Sequence, residues 1–231
     1  MFYFNPQYLF FMAPAILVML AAQWYVNSTY RKWGQVPTRS RLTGEEVTKK
    51  MILTGGLNNL NFREIPGNLT DHYDPRKKLL SLSPAVYQGN SVASVAIAAH
   101  ELGHAMQDKD QYFPLQLRSM LVPAVNIGST LGWILIMAGL LLNFINLAWL
   151  GVFAFSGGAI FALATLPVEL NASARARALL KHSGVILTHE EENGVNSVLN
   201  AAALTYIASL FTAVMQLLYW VSIVSGRSRR R

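Results

Sequence analysis

The sequence of 231 residues contains no cysteine. Disulfides and thiolate ligands are thereby excluded, and any bound metal must be held by His, Asp or Glu. Charge is also scarce, at 13% of residues against 52% hydrophobic, with a mean hydropathy of +0.30. That balance excludes an ordinary soluble domain and fits a chain that resides in a bilayer. Acidic residues are fewer than basic ones, 12 against 19, for a net charge of +7. The basic residues flank apolar runs and lack an aromatic platform. They point to anionic lipid headgroups, and a nucleic-acid partner is not expected. Ionisable residues inside the apolar runs are almost absent, which leaves nothing to line a transport path.

What is present is a series of long apolar runs. Residues 9–26 are about long enough to cross a bilayer, with no basic residue before them and no clear cleavage signature after, so they read as a retained anchor. Pro14 is a candidate kink, and Trp24, Tyr25, Tyr30 and Trp33 are expected in the headgroup layer beside Arg31 and Lys32. Residues 121–142 and 147–166 form two further runs, joined only by Asn143–Asn146, which is short enough to demand a tight helical hairpin. Gly132, Gly139, Gly151, Gly157 and Gly158 would let its two helices approach closely. Residues 198–225 form the last run, followed by Arg227, Arg229, Arg230 and Arg231.

Residues 34–90 are polar enough to lie in water. Thr43 or Gly44 begins a helix that Gly55-Gly56 ends. Weakly alternating stretches over 57–65, 68–73 and 78–83, separated by Pro66-Gly67 and Asp74-Pro75, predict a small antiparallel sheet. Such a sheet is as plausibly a brace as a strand edge for an extended peptide.

The most informative stretch is Ser91–Gln107, SVASVAIAAHELGHAMQ. Ser91 caps a helix, and Val92, Val95, Ala96 and Ala99 give it apolar faces. His100 and His104 are four apart, so both imidazoles can face one ion, while Glu101 is placed to reach a water. Two nitrogen ligands, an open position and a base are what a hydrolytic zinc site needs. Hydrogen-bonded core histidines are the plainer alternative. Only five histidines occur in the chain, however, and two of them fall here.

The hairpin points to a third ligand. A chain that crosses the membrane and returns emerges on the side it left, which brings Glu169 back to His100 and His104. Glu169 is the first charged residue after Arg118, and an acid at the end of a span is a site candidate by default. A capping or interfacial glutamate is the alternative. Asn171 or Ser173 could steady a ligating histidine. His72, Tyr73, Arg175 and His189 are candidate donors to an oxyanion, with His72 and Arg175 foremost. Thr188 begins a helix rich in acids at its start.

These features divide the chain into an anchor over 1–30, a catalytic segment with the small sheet over 31–118, a membrane hairpin over 119–166, a helical segment with the third ligand over 167–197, and a last span with a basic tail over 198–231. Basic residues number 12 from Arg31 to Arg118 and 3 from Arg175 to Lys181, against 4 in the tail. That count favours catalytic parts on the cytoplasmic side of a bacterial inner membrane, although the basic tail then lies outside.

The stretches LTDHYDPRKKLLSLSPAVY (69–87), SVASVAIAAHELGHAMQ (91–107), LPVELNASARA (166–176) and AAALTY (201–206), with the pattern of spans, resemble the YugP-like family of bacterial membrane-bound zinc metallopeptidases. The resemblance covers nearly the whole chain. It implies an α-helical integral membrane protein with about four transmembrane helices and a small zincin-like α+β catalytic portion. It further implies one Zn2+ ion on His100, His104 and Glu169, with Glu101 as the catalytic carboxylate. The ligand pattern is also similar to that of CAAX-type and heat-shock-type membrane proteases, where alanine and aspartate stand three and four residues after the glutamate. Here those positions are Ala172 and Ser173, and Leu170-Asn171 replaces the family's common Phe-Asp, so an orienting carboxylate is missing. The expected activity is hydrolysis of peptides or membrane proteins at the bilayer surface. A non-catalytic, metal-stabilised scaffold is the rival, and self-association or a membrane partner protein stays open.

Overall fold

The computed structural model describes residues 6–228. Arg229, Arg230 and Arg231 of the expected basic tail lie outside the described residues. The chain folds as α1 (Pro6–Gly34), α2 (Gly44–Thr54), β1 (Asn61–Glu64), β2 (His72–Asp74), β3 (Leu79–Leu82), α3 (Pro84–Tyr87), α4 (Val92–Lys109), α5 (Phe113–Leu141), α6 (Ile145–Ser183) and α7 (His189–Ser228). Four helices, α1, α5, α6 and α7, are long and apolar enough to cross a membrane. The protein is thus a helical membrane protein with a small α+β portion.

The residues pack as two compact units. One comprises the chain up to Ala22, Gln116–Pro167 and the chain from Thr205 onward. Ile136, Leu140, Ala148, Val152 and Val224 form its core. Its outer surface is apolar, with Phe10, Leu17, Met120, Leu141 and Phe153 all exposed. In water such a surface would be unstable, whereas lipid tails solvate it. The turn between α5 and α6 spans only residues 142–144, with Asn143 at φ 54°. Small residues bring these helices together. A Cβ on Gly139 would lie 2.3 Å from Ala148 N, one on Gly132 2.6 Å from Phe155 N, and one on Gly151 2.5 Å from Ile136 N. Gly157 and Gly158 have no such requirement, since their nearest neighbours lie at ordinary contact distance.

The other unit comprises Gln23–Leu115 and Val168–Leu204. Its centre is α4, 12 of whose 18 residues are buried. Alanines at 93, 96, 98 and 99 keep that helix slim enough to be enclosed on several sides, by Met51 of α2, Leu80 and Leu82 of β3, and Leu179 and Leu199 of α6 and α7. Burying each Val or Leu contributes about 1.5–3 kcal/mol. Ser91 caps α4 by accepting from Ser94 N at 3.1 Å. Thr43 caps α2 in a reciprocal box with Glu46, and Gly55-Gly56 ends it, Gly56 at φ 59°.

The three strands form a sheet in the order β1-β3-β2. Only β2 and β3 are antiparallel, with Tyr73 opposite Leu80, while β1 runs parallel to β3, with Phe62 opposite Leu80. The expectation of an antiparallel sheet is therefore corrected to a mixed one. The apolar strand Leu79–Leu82 takes the buried centre, and the polar β1 and β2 take its two edges. Residues 57–60 form a turn rather than a strand. Trp33, expected among headgroups, is instead buried in this unit's core against Gly194, where an added Cβ would sit 2.6 Å from the indole. Helices read as separate segments are continuous. α6 runs through Pro167 to Ser183, ended by Gly184 at φ 60°, and α7 runs from His189 through the last apolar stretch.

Replacing Gly151 by leucine forces its side chain into the α5 backbone. We expect a loss of about 1–3 kcal/mol from overpacking, read as a lower unfolding midpoint in mixed micelles titrated with SDS.

Candidate metal centre

Three side chains from two helices converge. α4 presents His100 and His104, one turn apart, with ring centroids 4.9 Å apart and planes at 87°. α6 presents Glu169, whose Oε2 lies 3.2 Å from His100 Nε2 and 3.4 Å from His104 Nε2. One potential ligand atom from each residue lies within 4.8 Å of the others.

The reason α6 comes this close lies in Gly103. A Cβ there would be 2.3 Å from the carbonyl oxygen of Ala172, so only glycine permits the contact. Gly103 precedes His104, and Ala172 lies three residues after Glu169. One backbone contact therefore sets the separation between the acid and the imidazoles.

A second layer of polar groups fixes the rings. Gln107, fully buried, donates from Nε2 to Val168 O at 2.7 Å and to Asn171 Oδ1 at 3.0 Å. Those two acceptors orient its amide, so that its Oε1 faces His104 Nδ1 at 3.0 Å and must accept from it. The His104 proton thus sits on Nδ1, and Nε2 keeps a lone pair towards Glu169. Ser173 Oγ lies 3.2 Å from His100 Nδ1 and can hold that ring in the same sense. Asn171 accepts from Arg175 Nε at 2.8 Å as well as from Gln107. The amide oxygen thus serves two donors as acceptor without adding negative charge.

Electrostatically, the site calls for a cation. Glu169 is 1% exposed, and a carboxylate at that depth is costly unless paired or liganded. Burial disfavours the charged form of His104. The protonated ring, however, can donate from Nε2 to Glu169, and that hydrogen bond with the charges of Glu101 and Glu169 outweighs burial and raises its pKa, whereas in the neutral ring the same Nε2 offers its lone pair to a cation. The donor set of two imidazole nitrogens and one carboxylate oxygen, with both Nδ1 atoms tied back, fits a zinc ion.

The other residues singled out in the sequence fall in different places. Glu101 is half-buried on α4, close enough for its charge to act on His104. Arg175 is committed to Asn171, forms an ion pair with Asp110, and stacks 5.9 Å from the Tyr112 ring centroid. His72 is not brought to the cluster. It is exposed on β2, with Nδ1 2.8 Å from Thr70 O. Tyr73 opposite buried Leu80 faces α4, so its neighbour His72 points to the opposite face of the sheet. Tyr73 donates to Asp108 Oδ2 at 2.5 Å, and burial followed by that hydrogen bond raises its pKa. His189 is exposed, 3.5 Å from Glu192 Oε2. Gln107 was not apparent from sequence, although it lies three residues past His104 and so shares its helical face.

Two substitutions test this arrangement. Gly103→Ala should push α6 from α4 and weaken zinc binding at least tenfold, while Gln107→Leu should cost about 10–100-fold by releasing the His104 ring. Competition with a chromogenic chelator measures both, and parental affinity in Gly103→Ala would refute the spacing argument.

The chain matches the family described as "Putative neutral zinc metallopeptidase" over residues 8–225. A curated relative from Bacillus subtilis (strain 168), "Putative membrane protease YugP", is 40% identical over 221 residues, covering 95% of this chain and 98% of the relative. No solved structure matches. With a site of two histidines and a buried glutamate inside a match of that extent, the chain belongs to this neutral zinc metallopeptidase family.

Proposed function

We propose that the protein is a membrane-embedded metalloendopeptidase in which His100, His104 and Glu169 hold a single zinc ion and Glu101 is the general base. The observation that carries this reading is the convergence of both Nε2 atoms on one Glu169 oxygen, while both Nδ1 atoms are engaged elsewhere. Zinc, when bound, supplies a Lewis acid that acidifies water and polarises a carbonyl. Glu101 takes the proton of the attacking water as it adds to the scissile carbonyl, then returns it to the departing amine. Its partial exposure leaves it reachable by water and substrate, which favours catalysis over a purely structural metal site.

Arg175 serves as a positioning residue, acting on His104 through Asn171 and Gln107. β2 packs against α4, and among the described residues its second edge is unpaired. An extended peptide can add there by backbone hydrogen bonds. The substrates are peptides or membrane proteins presented near the bilayer surface, since Glu169 follows the apolar run of α6 rather than interrupting it. The relative's description as a membrane protease accords with this. The concentration of basic residues in the segments around the site supports a cytoplasmic orientation in the inner membrane.

The test compares the parent with Glu101→Gln and Glu169→Ala in detergent, using bound zinc and cleavage of membrane-tethered fluorogenic peptides. Glu101→Gln should keep its zinc and lose about 10²–10⁴-fold in hydrolysis. Glu169→Ala should lose most of both. Equal cleavage by the parent and Glu101→Gln removes Glu101 from the mechanism.

A further inference from the structure

Away from the metal centre, a cavity of about 410 Å³ opens between the C-terminal part of α6 and the start of α7. That volume falls in the range of ligand sites. Its walls are of two kinds. Leu180, Ile186, Leu187 and Val195 make an apolar side, while Arg177 and Lys181 bring two positive charges one helical turn apart.

Arg177 is held by neutral side chains alone. Its Nε donates to Asn196 Oδ1 at 2.7 Å and its Nη2 to Asn200 Oδ1 at 2.6 Å. Asn196 and Asn200 are four apart on α7 and turn the same way, so two amides aim one guanidinium. Neither carries charge, and among the described residues no carboxylate pairs with Arg177. Arg175, two residues earlier, shows the contrast, because Asp110 neutralises it. Lys181 repels Arg177 from the next turn, an arrangement that disfavours an empty helix face. The acid in the wall, Glu192, is directed to His189 at 3.5 Å. A half-buried cation that is oriented but not neutralised is preorganised for an anion, and an arginine fork suits a carboxylate in bidentate geometry.

The apolar wall narrows the choice. A free headgroup such as glycerol phosphate is polar on all sides and would leave Leu180, Ile186 and Val195 unmatched, while an intact phospholipid brings two acyl chains, more apolar bulk than a cavity of about 410 Å³ holds. A peptide C-terminus carries a carboxylate and, one bond away, a side chain. We infer that this cavity binds the C-terminal carboxylate of a peptide ending in an aliphatic residue, with Arg177 on the carboxylate and the last side chain against Leu180, Ile186 and Val195. This site is separate from the metal centre. Arg177 lies eight residues past Glu169, about 12 Å along α6, and binding requires no hydrolysis.

The test is calorimetric titration of the full-length protein in detergent with N-acetyl-Ala-Ala-Leu as free acid and as C-terminal amide, before and after chelation of zinc. The free acid should bind at least tenfold more tightly than the amide, and chelation should leave that preference unchanged. Arg177→Gln should abolish the preference, and Arg177→Lys should keep part of it. Leu187→Glu changes an exposed wall position and supplies an internal carboxylate, so it should block the peptide without altering the melting temperature. Equal binding of acid and amide overturns the inference. So does a preference lost on chelation, which assigns the carboxylate to the metal, or an Arg177→Gln protein that melts like the parent and binds unchanged. A repeat in nanodiscs gives the last outcome: displacement of the peptide by phosphatidylglycerol but not by phosphatidylcholine would reassign the cavity to headgroups.

Discussion

The contact on which the site depends is between backbones. α4 and α6 touch where Gly103 faces the carbonyl of Ala172, at a distance that no side chain could occupy. Everything polar about the centre follows from that closeness. It allows a carboxylate from one helix to reach two imidazoles on the other, and it allows Gln107 to reach the α6 backbone at Val168 O. Close-packed helices transmit small displacements because their interiors have little free volume. A shift of a few tenths of an ångström at residue 103 would be felt at three potential ligands at once.

Around this contact the polar groups form a connected chain. His104 leans on Gln107, Gln107 on Asn171, Asn171 on Arg175, and Arg175 on Asp110. Each link satisfies a group whose burial would otherwise be costly. The chain begins at a neutral imidazole and ends at an ion pair on the surface. It thereby orients the site without placing a second negative charge beside Glu169, and the Asn171 amide is what keeps it neutral at that step.

Much of this was legible in the sequence because it rests on short-range rules. The Ser91 and Thr43 caps, the hairpin forced by a four-residue link, and the spacing of His100 and His104 are local signals. The return of Glu169 needs only the topology of two adjacent spans. What escaped depends on tertiary choice. The parallel pairing of β1 with β3 cannot be read from alternation, which is the same for either sense. Trp33 carries the composition of an interfacial residue, yet it fills a space opened by Gly194, which lies far away in the chain. Gln107 looks like an ordinary helix-end residue until its neighbours on α6 are known. His72 stood within a family-like stretch, but the two-residue period of a strand turns it away from α4.

The three converging residues are unevenly spaced, with His100 and His104 on one turn and Glu169 located 69 residues after His100. Two helices that cross the bilayer, α5 and most of the apolar part of α6, are synthesised in between. A growing polypeptide that has reached only Gln107 carries the two imidazoles but lacks Glu169, the third member of the cluster. The three-residue cluster is therefore complete only once the α5–α6 hairpin has been made, and a chain that stopped short of α6 would carry an unfinished site.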